Sequence, residues 1–195
     1  MFVNKNIIDN SFFEKIKDFG NLEKIQVYIP FYDNLFEEKN ENLGLNNLNI
    51  LEKITKFEDN KFFFNYNQYF FVKYSPLLDP VKYLCGKYEN INIFDLPKKS
   101  INIPGNKIVD PIDKMSDVNN SSYVDNLFVY LSSKLLNEHN IHHGLNYYGS
   151  FLANKNDLKI NIYDDFEILC KSDFFNSNIN EIFKLDNFDH DVYNN

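Results

Sequence analysis

With 195 residues, 44% of them hydrophobic and 17% aromatic, the chain can bury a core without disulfide or metal staples, which excludes a disordered tail. Its net charge is −8 and all 20 basic residues are lysines, so nucleic acid and anionic membranes are disfavoured as partners and no guanidinium clamp on phosphate is available. Cys85 and Cys170 lie far apart and fit reduced thiols, no apolar run approaches the ~20 residues of a membrane span, and the opening MFVNKNIIDNSFF lacks the features of a secretory signal, so the expected setting is intracellular.

Ala153 is the sole alanine and asparagine is abundant, a skew that weakens propensity arguments. Periodicity and turn residues therefore carry the reading. Ser11 to Glu14 form a capping-box pattern and Gly20 stands where a helix would stop, which predicts a helix over 11–19. Residues 22–29, LEKIQVYI, are ambiguous and closed by Pro30; 31–38 fit a helical turn or two; 39–49 read as a polar loop. Two aromatic runs, 61–66 and 69–75, flank Asn67-Gln68, and EDN at 58–60 marks an earlier turn, so three antiparallel strands are expected at about 53–57, 61–66 and 69–75. Asp79-Pro80 opens a helix that Gly86 closes, and Pro104-Gly105 signals a type II turn.

The clearest helix spans 121–138. Val124, Phe128, Leu131 and Leu135 recur at i, i+4, i+7 and i+11 on one face, with Ser121 or Ser122 as cap and Asn140 as terminator. Strands are expected over 145–153 and 158–164, then a helical stretch in DDFEILCKSDFF and an acidic end. Repeats and interdomain linkers are not apparent. The expectation is one α+β domain over 1–195, with a helical N-terminal extension at 1–50, a main body at 51–175 and an acidic tail at 176–195.

Three strands, one amphipathic helix, a histidine-bearing turn and two further strands follow the order of a protein-kinase N-terminal lobe. The chain resembles the serine/threonine protein kinase-like proteins of nucleocytoplasmic large DNA viruses, the giant-virus and poxvirus type. The likeness is carried by FFVKYSPLLDPVKYLCGKY (70–88), NNSSYVDNLFVYLSSKLL (119–136) and IHHGLNYYGSFL (141–152), about a quarter of the chain. The turn departs from the family's pattern by reading His142-His143-Gly144 where kinases carry His-Pro. The resemblance implies an antiparallel sheet of about five strands with helix 121–138 packed on it, and a location in host cytoplasm or virion.

It also implies a site. Lys73, on the third strand, would meet the α- and β-phosphates of ATP and pair with an acidic residue of the helix. Asp125 is the preferred partner and Glu138 the other candidate; usual kinase spacing lands nearer Ser132, which cannot form an ion pair. The place of the phosphate-covering loop is held by Phe57-Glu58-Asp59-Asn60, which has no glycine for close backbone approach and two carboxylates that repel triphosphate. A weak or incomplete ATP site follows, with Mg²⁺ as the cation such a site would use.

The catalytic Asp, the metal-binding Asn and the Asp-Phe-Gly ligand of a kinase are not recognisable. Asp165-Phe166-Glu167 is not Asp-Phe-Gly, and His190, Asp191 and Asn194 have the wrong spacing. The expectation is an ATP-binding-lobe portion that is not catalytically competent alone, with a C-terminal kinase lobe or another protein as partner. The alternatives are a non-catalytic interaction module and an unrelated α+β structural protein.

His139, His142 and His143 could be imagined around a metal, but without a third or fourth assured ligand they read better as a helix-terminal turn. Hydrolase motifs are not found. The Tyr and Phe content reads as core and sheet packing rather than base-stacking surface, given the acidic balance and missing arginine.

Overall fold

The computed structural model describes residues 21–26, 30, 56–58, 61–65, 68–98 and 111–186. The helices expected over 11–19 and 31–38, the Pro104-Gly105 turn and the last part of the acidic end lie outside them. Within them run β1 (Leu22–Gln26), β2 (Lys56–Glu58), β3 (Lys61–Asn65), β4 (Gln68–Phe71), α1 (Pro80–Leu84), α2 (Pro111–Ser116), α3 (Ser121–His139), β5 (Leu152–Lys155), α4 (Phe166–Leu169) and α5 (Asp173–Asn178). The protein is thus mixed α+β with small antiparallel sheets.

The chain forms two compact units. One draws on Met1–Leu77 and Ile93–Leu158, the other on Leu78–Asn92 and Lys159–Asn195.

In the first unit the described strands make two sheets, not one of five strands: a meander β2-β3-β4 and a pair β1-β5, all antiparallel. The meander follows the alternation of its aromatic residues. Phe62 and Phe70 are cross-strand partners, buried, with rings stacked at 5.3 Å, and Leu22 of β1 joins them. Ala153 of β5 packs on the same cluster, so the two sheets share a core without sharing hydrogen bonds along one ladder. The β1-β5 register shifts between Glu23 and Gln26, where Lys24 has φ 50°. Its Nζ bonds the Phe94 carbonyl at 3.0 Å and the Asp95 carboxylate at 3.1 Å, which ties down a residue in the left-handed region.

The strand expected over 145–153 is confined to its end. Before Leu152 the backbone is irregular, because Tyr147 N–H is bonded to Ser133 Oγ of α3 at 3.0 Å instead of to a neighbouring strand. The strand expected over 158–164 does not form. Leu158 and Ile160 are exposed, and Asn161 Oδ1 accepts from Tyr163 N–H in a local turn. Its apolar alternation coincides with the passage from the first unit to the second, not with a sheet face.

Helix α3 confirms the longest predicted element and corrects which side is buried. The Val124, Phe128, Leu131 and Leu135 stripe is exposed, Phe128 at 65%. The opposite side is buried: Tyr123 lies with Tyr147 and Leu152 in a cluster that Leu127, Val129 and Tyr130 complete. Both sides are apolar, so periodicity revealed a helix without choosing its inner face. The cap is Asn120 rather than Ser121 or Ser122. Its side chain accepts from Ser122 N–H at 3.1 Å and donates to the carbonyls of Leu77 and Lys114 at 2.9 and 3.0 Å, contacts a serine hydroxyl could not all make.

In the second unit Leu84, Leu169 and Phe175 form the buried core, flanked by Val81, Ile162 and Phe183. Asp79 caps α1 ahead of Pro80, accepting from Val81 N–H at 2.9 Å. Gly86 ends it with φ +75°, and a side chain there would meet the Phe174 ring at 2.5 Å. The helical stretch expected over DDFEILCKSDFF is two short helices, α4 and α5, the second capped by Ser172. Helix α2 was not foreseen, although Asp110-Pro111 repeats the Asp-Pro start of α1.

Candidate functional site

The site is built around the chain leaving β4. Phe70, Val72 and Tyr74 belong to the sheet core, whereas Tyr69, Phe71 and Lys73 are exposed, so the alternation of β4 continues past its last paired residue. Lys73 therefore stands on the outer side with Phe71 and Tyr69.

The next residues bind this segment to the start of α3. Ser75 Oγ donates to Ser122 Oγ at 2.8 Å, and Ser122 Oγ donates to the Pro76 carbonyl at 2.8 Å. The Asn120 amide holds the Leu77 carbonyl. Asp125 lies one turn into the helix from these anchors, and its Oδ2 meets Lys73 Nζ at 2.5 Å across 52 residues of sequence. Lys73 and Asp125 are thus brought together. Glu138 instead pairs with Lys134 at 2.9 Å, four residues back on its own helix, and Ser132 Oγ bonds the Val129 carbonyl.

The Lys73 and Asp125 side chains are 63% and 44% exposed. Exposure makes the pair a weak structural element, of roughly 0–1 kcal/mol, and leaves its lysine reachable by a dissolved anion. The β2-β3 connection, where a phosphate-covering loop would lie, pairs Glu58 with Lys61, while residues 59–60 fall outside the described residues.

The outer sheet face carries more than Lys73. Lys61 is the cross-strand partner of Phe71, and Phe63 that of Tyr69. Lys61 Nζ lies 5.1 Å from the Tyr69 ring centre, and Lys56 Nζ lies 5.8 Å from that of Phe63. Sequence reasoning passed over this face. The signal was there, since every second residue from Tyr69 to Lys73 points outward, but aromatic content alone does not say which rings are buried.

The histidine stretch is a turn. Asn140 adopts φ 54° at the end of α3, and Ile141 N–H returns to the Leu135 carbonyl at 3.2 Å. Gly144 follows because a Cβ there would collide with the Ser132 carbonyl oxygen of the helix above. Packing thus accounts for glycine at that place. Among the described residues, no three His, Cys, Asp or Glu side chains gather in a way that could hold a metal ion. Nor is any described helix long and apolar enough to cross a membrane.

Beyond Gly144, the YYGSF run is fixed by side chains: Asn126 Nδ2 and Tyr147 OH both bond Ser150 Oγ, at 3.0 and 2.7 Å. Compared with known proteins, the chain matches no family model, no curated protein and no solved structure.

Proposed function

We propose that the chain is the nucleotide-binding-lobe portion of a serine/threonine protein kinase-like protein, in which Lys73, steered by Asp125, meets the phosphates of ATP. The observation that carries this reading is the Lys73–Asp125 pair, joining an extended segment after an antiparallel meander to the long helix α3. An ammonium on an extended segment just past a strand offers a positive charge to a phosphate, and a carboxylate on a separate element limits where it swings.

The reading also predicts weakness. The residues here include no recognisable catalytic base and no Asp-Phe-Gly metal ligand, so phosphoryl transfer by this stretch alone is not part of the proposal. The proposal assigns no residue to Mg²⁺.

The test is calorimetric titration of the purified chain with Mg-ATP. Saturable binding is expected, weakened about tenfold or more by Lys73→Met, because a charge-assisted hydrogen bond is lost. Asp125→Asn should weaken it less. Equal affinity in wild type and Lys73→Met would sink the assignment.

A second reading, a non-catalytic interaction module, is favoured by the exposed stripe of α3. It expects self-association or partner binding that Phe128→Asp abolishes in light scattering, with ATP affinity unchanged. A monomeric wild type that captures no partner through this face would dismiss it.

A further inference from the structure

We infer that the outer face of the β2-β3-β4 sheet is a stacking platform on which Phe71 carries the base of a nucleoside phosphate. The inference rests on the nucleotide reading and adds to it the part of the ligand that does most of the binding.

Phe71 is 63% and Tyr69 52% exposed, beside each other on the face opposite the Phe62–Phe70 core. The Tyr69 and Phe63 rings are overlain by lysine ammonium groups, whereas Phe71 has Lys61 across the strand and Lys73 two residues along. In a chain of net charge −8, this face groups Lys56, Lys61 and Lys73 around three rings, three lysines against Glu58, which the register sets across from Lys61, and Asp125, which holds Lys73. Its chemical complement is a flat π-system attached to negative charge.

The spacing suits one molecule. Alternate residues of a strand lie about 6.6–6.8 Å apart, close to the span a ribose sets between a base and its 5′-phosphate. A base on Phe71 would put phosphate within reach of Lys73 or Lys61. Phosphate must compete with Asp125 for Lys73, so stacking supplies the larger share of affinity.

A mononucleotide is favoured over a nucleic-acid strand for two reasons. The platform is three rings on two short strands, and the acidic chain repels a polyanion whose binding needs many phosphate contacts.

The experiment is titration of the full chain with ATP, inorganic tripolyphosphate and a short oligothymidylate, in wild type, Phe71→Ala, Phe71→Trp and Lys73→Met. Stacking predicts that ATP binds about tenfold more tightly than tripolyphosphate. Phe71→Ala should erase that ratio and leave tripolyphosphate affinity and circular dichroism unchanged, because Phe71 lies outside the core; Phe71→Trp should keep the ratio. An undiminished ratio in Phe71→Ala overturns the platform, and if Lys73→Met still weakens both ligands the lysine assignment stands without it. A ratio lost in Phe71→Ala but indifferent to Lys73→Met supports the platform and removes the lysine's phosphate role. Oligothymidylate binding more tightly than ATP overturns the choice of a mononucleotide, and no ATP binding overturns both proposals.

Discussion

Among the described residues, Tyr74 is the one whose buried side-chain oxygen finds no hydrogen-bond partner. Its hydroxyl is shut from water, and burial pushes its phenol above the ordinary 10.0. A buried polar atom without a partner costs stability, so Tyr74→Phe should leave stability unchanged or raise it, by up to about 1–3 kcal/mol in urea unfolding. The sign for pH follows from the raised value. The folded state holds the phenolic proton more tightly than the unfolded chain, so this group's contribution is intact below pH 10.0 and is lost as pH climbs through the folded value. Tyr74→Phe should therefore flatten the alkaline limb of the stability curve; a mutant that loses more than about 1 kcal/mol at neutral pH would mean that the hydroxyl is hydrogen-bonded in solution. Other residues were legible beforehand. Asp79 before Pro80 and Gly86 after it announced α1, and Asn140 announced the end of α3, because caps and left-handed positions are chosen by local chemistry.

Elements were less legible than residues wherever an outside partner decides. Two substitutions on α3 should separate its faces. Phe128→Ser on the exposed stripe should change stability by less than about 0.5 kcal/mol, whereas Tyr123→Ala, which empties a buried site and frees the Met115 carbonyl, should cost about 3–5 kcal/mol. Chemical denaturation of both variants checks the contrast, and comparable losses would mean that the stripe is covered in solution. The same limit explains 145–151. Apolar and aromatic residues there looked strand-like, yet Ser150 drew in the Tyr147 hydroxyl, and Ser133 supplied the partner for Tyr147 N–H, a contact visible only once α3 is in place. The Lys73–Asp125 pair was anticipated from a resemblance, not from spacing. The serine and asparagine bonds that bring its halves together had no separate sequence signal.

At the scale of the whole molecule, the second unit is a small core with an ion pair at its edge. Lys159 Nζ meets Asp186 Oδ2 at 2.7 Å, and the pairing holds the carboxyl below 3.8 and the ammonium above 10.5. Asp186 gives its share above pH 3.8 and loses it as pH falls through its lower folded value. Lys159 gives its share below pH 10.5 and loses it as pH rises through its higher folded value. Both groups lie open to solvent, so salt should screen the effect. The acid limb of unfolding should be shallower in Asp186→Asn than in wild type at low ionic strength, and the two should converge in about 1 M salt. Identical limbs at low salt would show that the contact does not persist in solution.

The second unit is also assembled from two distant stretches, Leu78–Asn92 and the residues from Lys159 onward. During synthesis, Leu84 emerges long before the Leu169 and Phe175 against which it is buried. At about 5–20 residues per second, α1 waits several seconds for its core. Its apolar side is available to chaperones through that interval, and a ribosome that stalls before Leu169 releases a chain in which the first unit's sequence is complete while α1 still lacks its core.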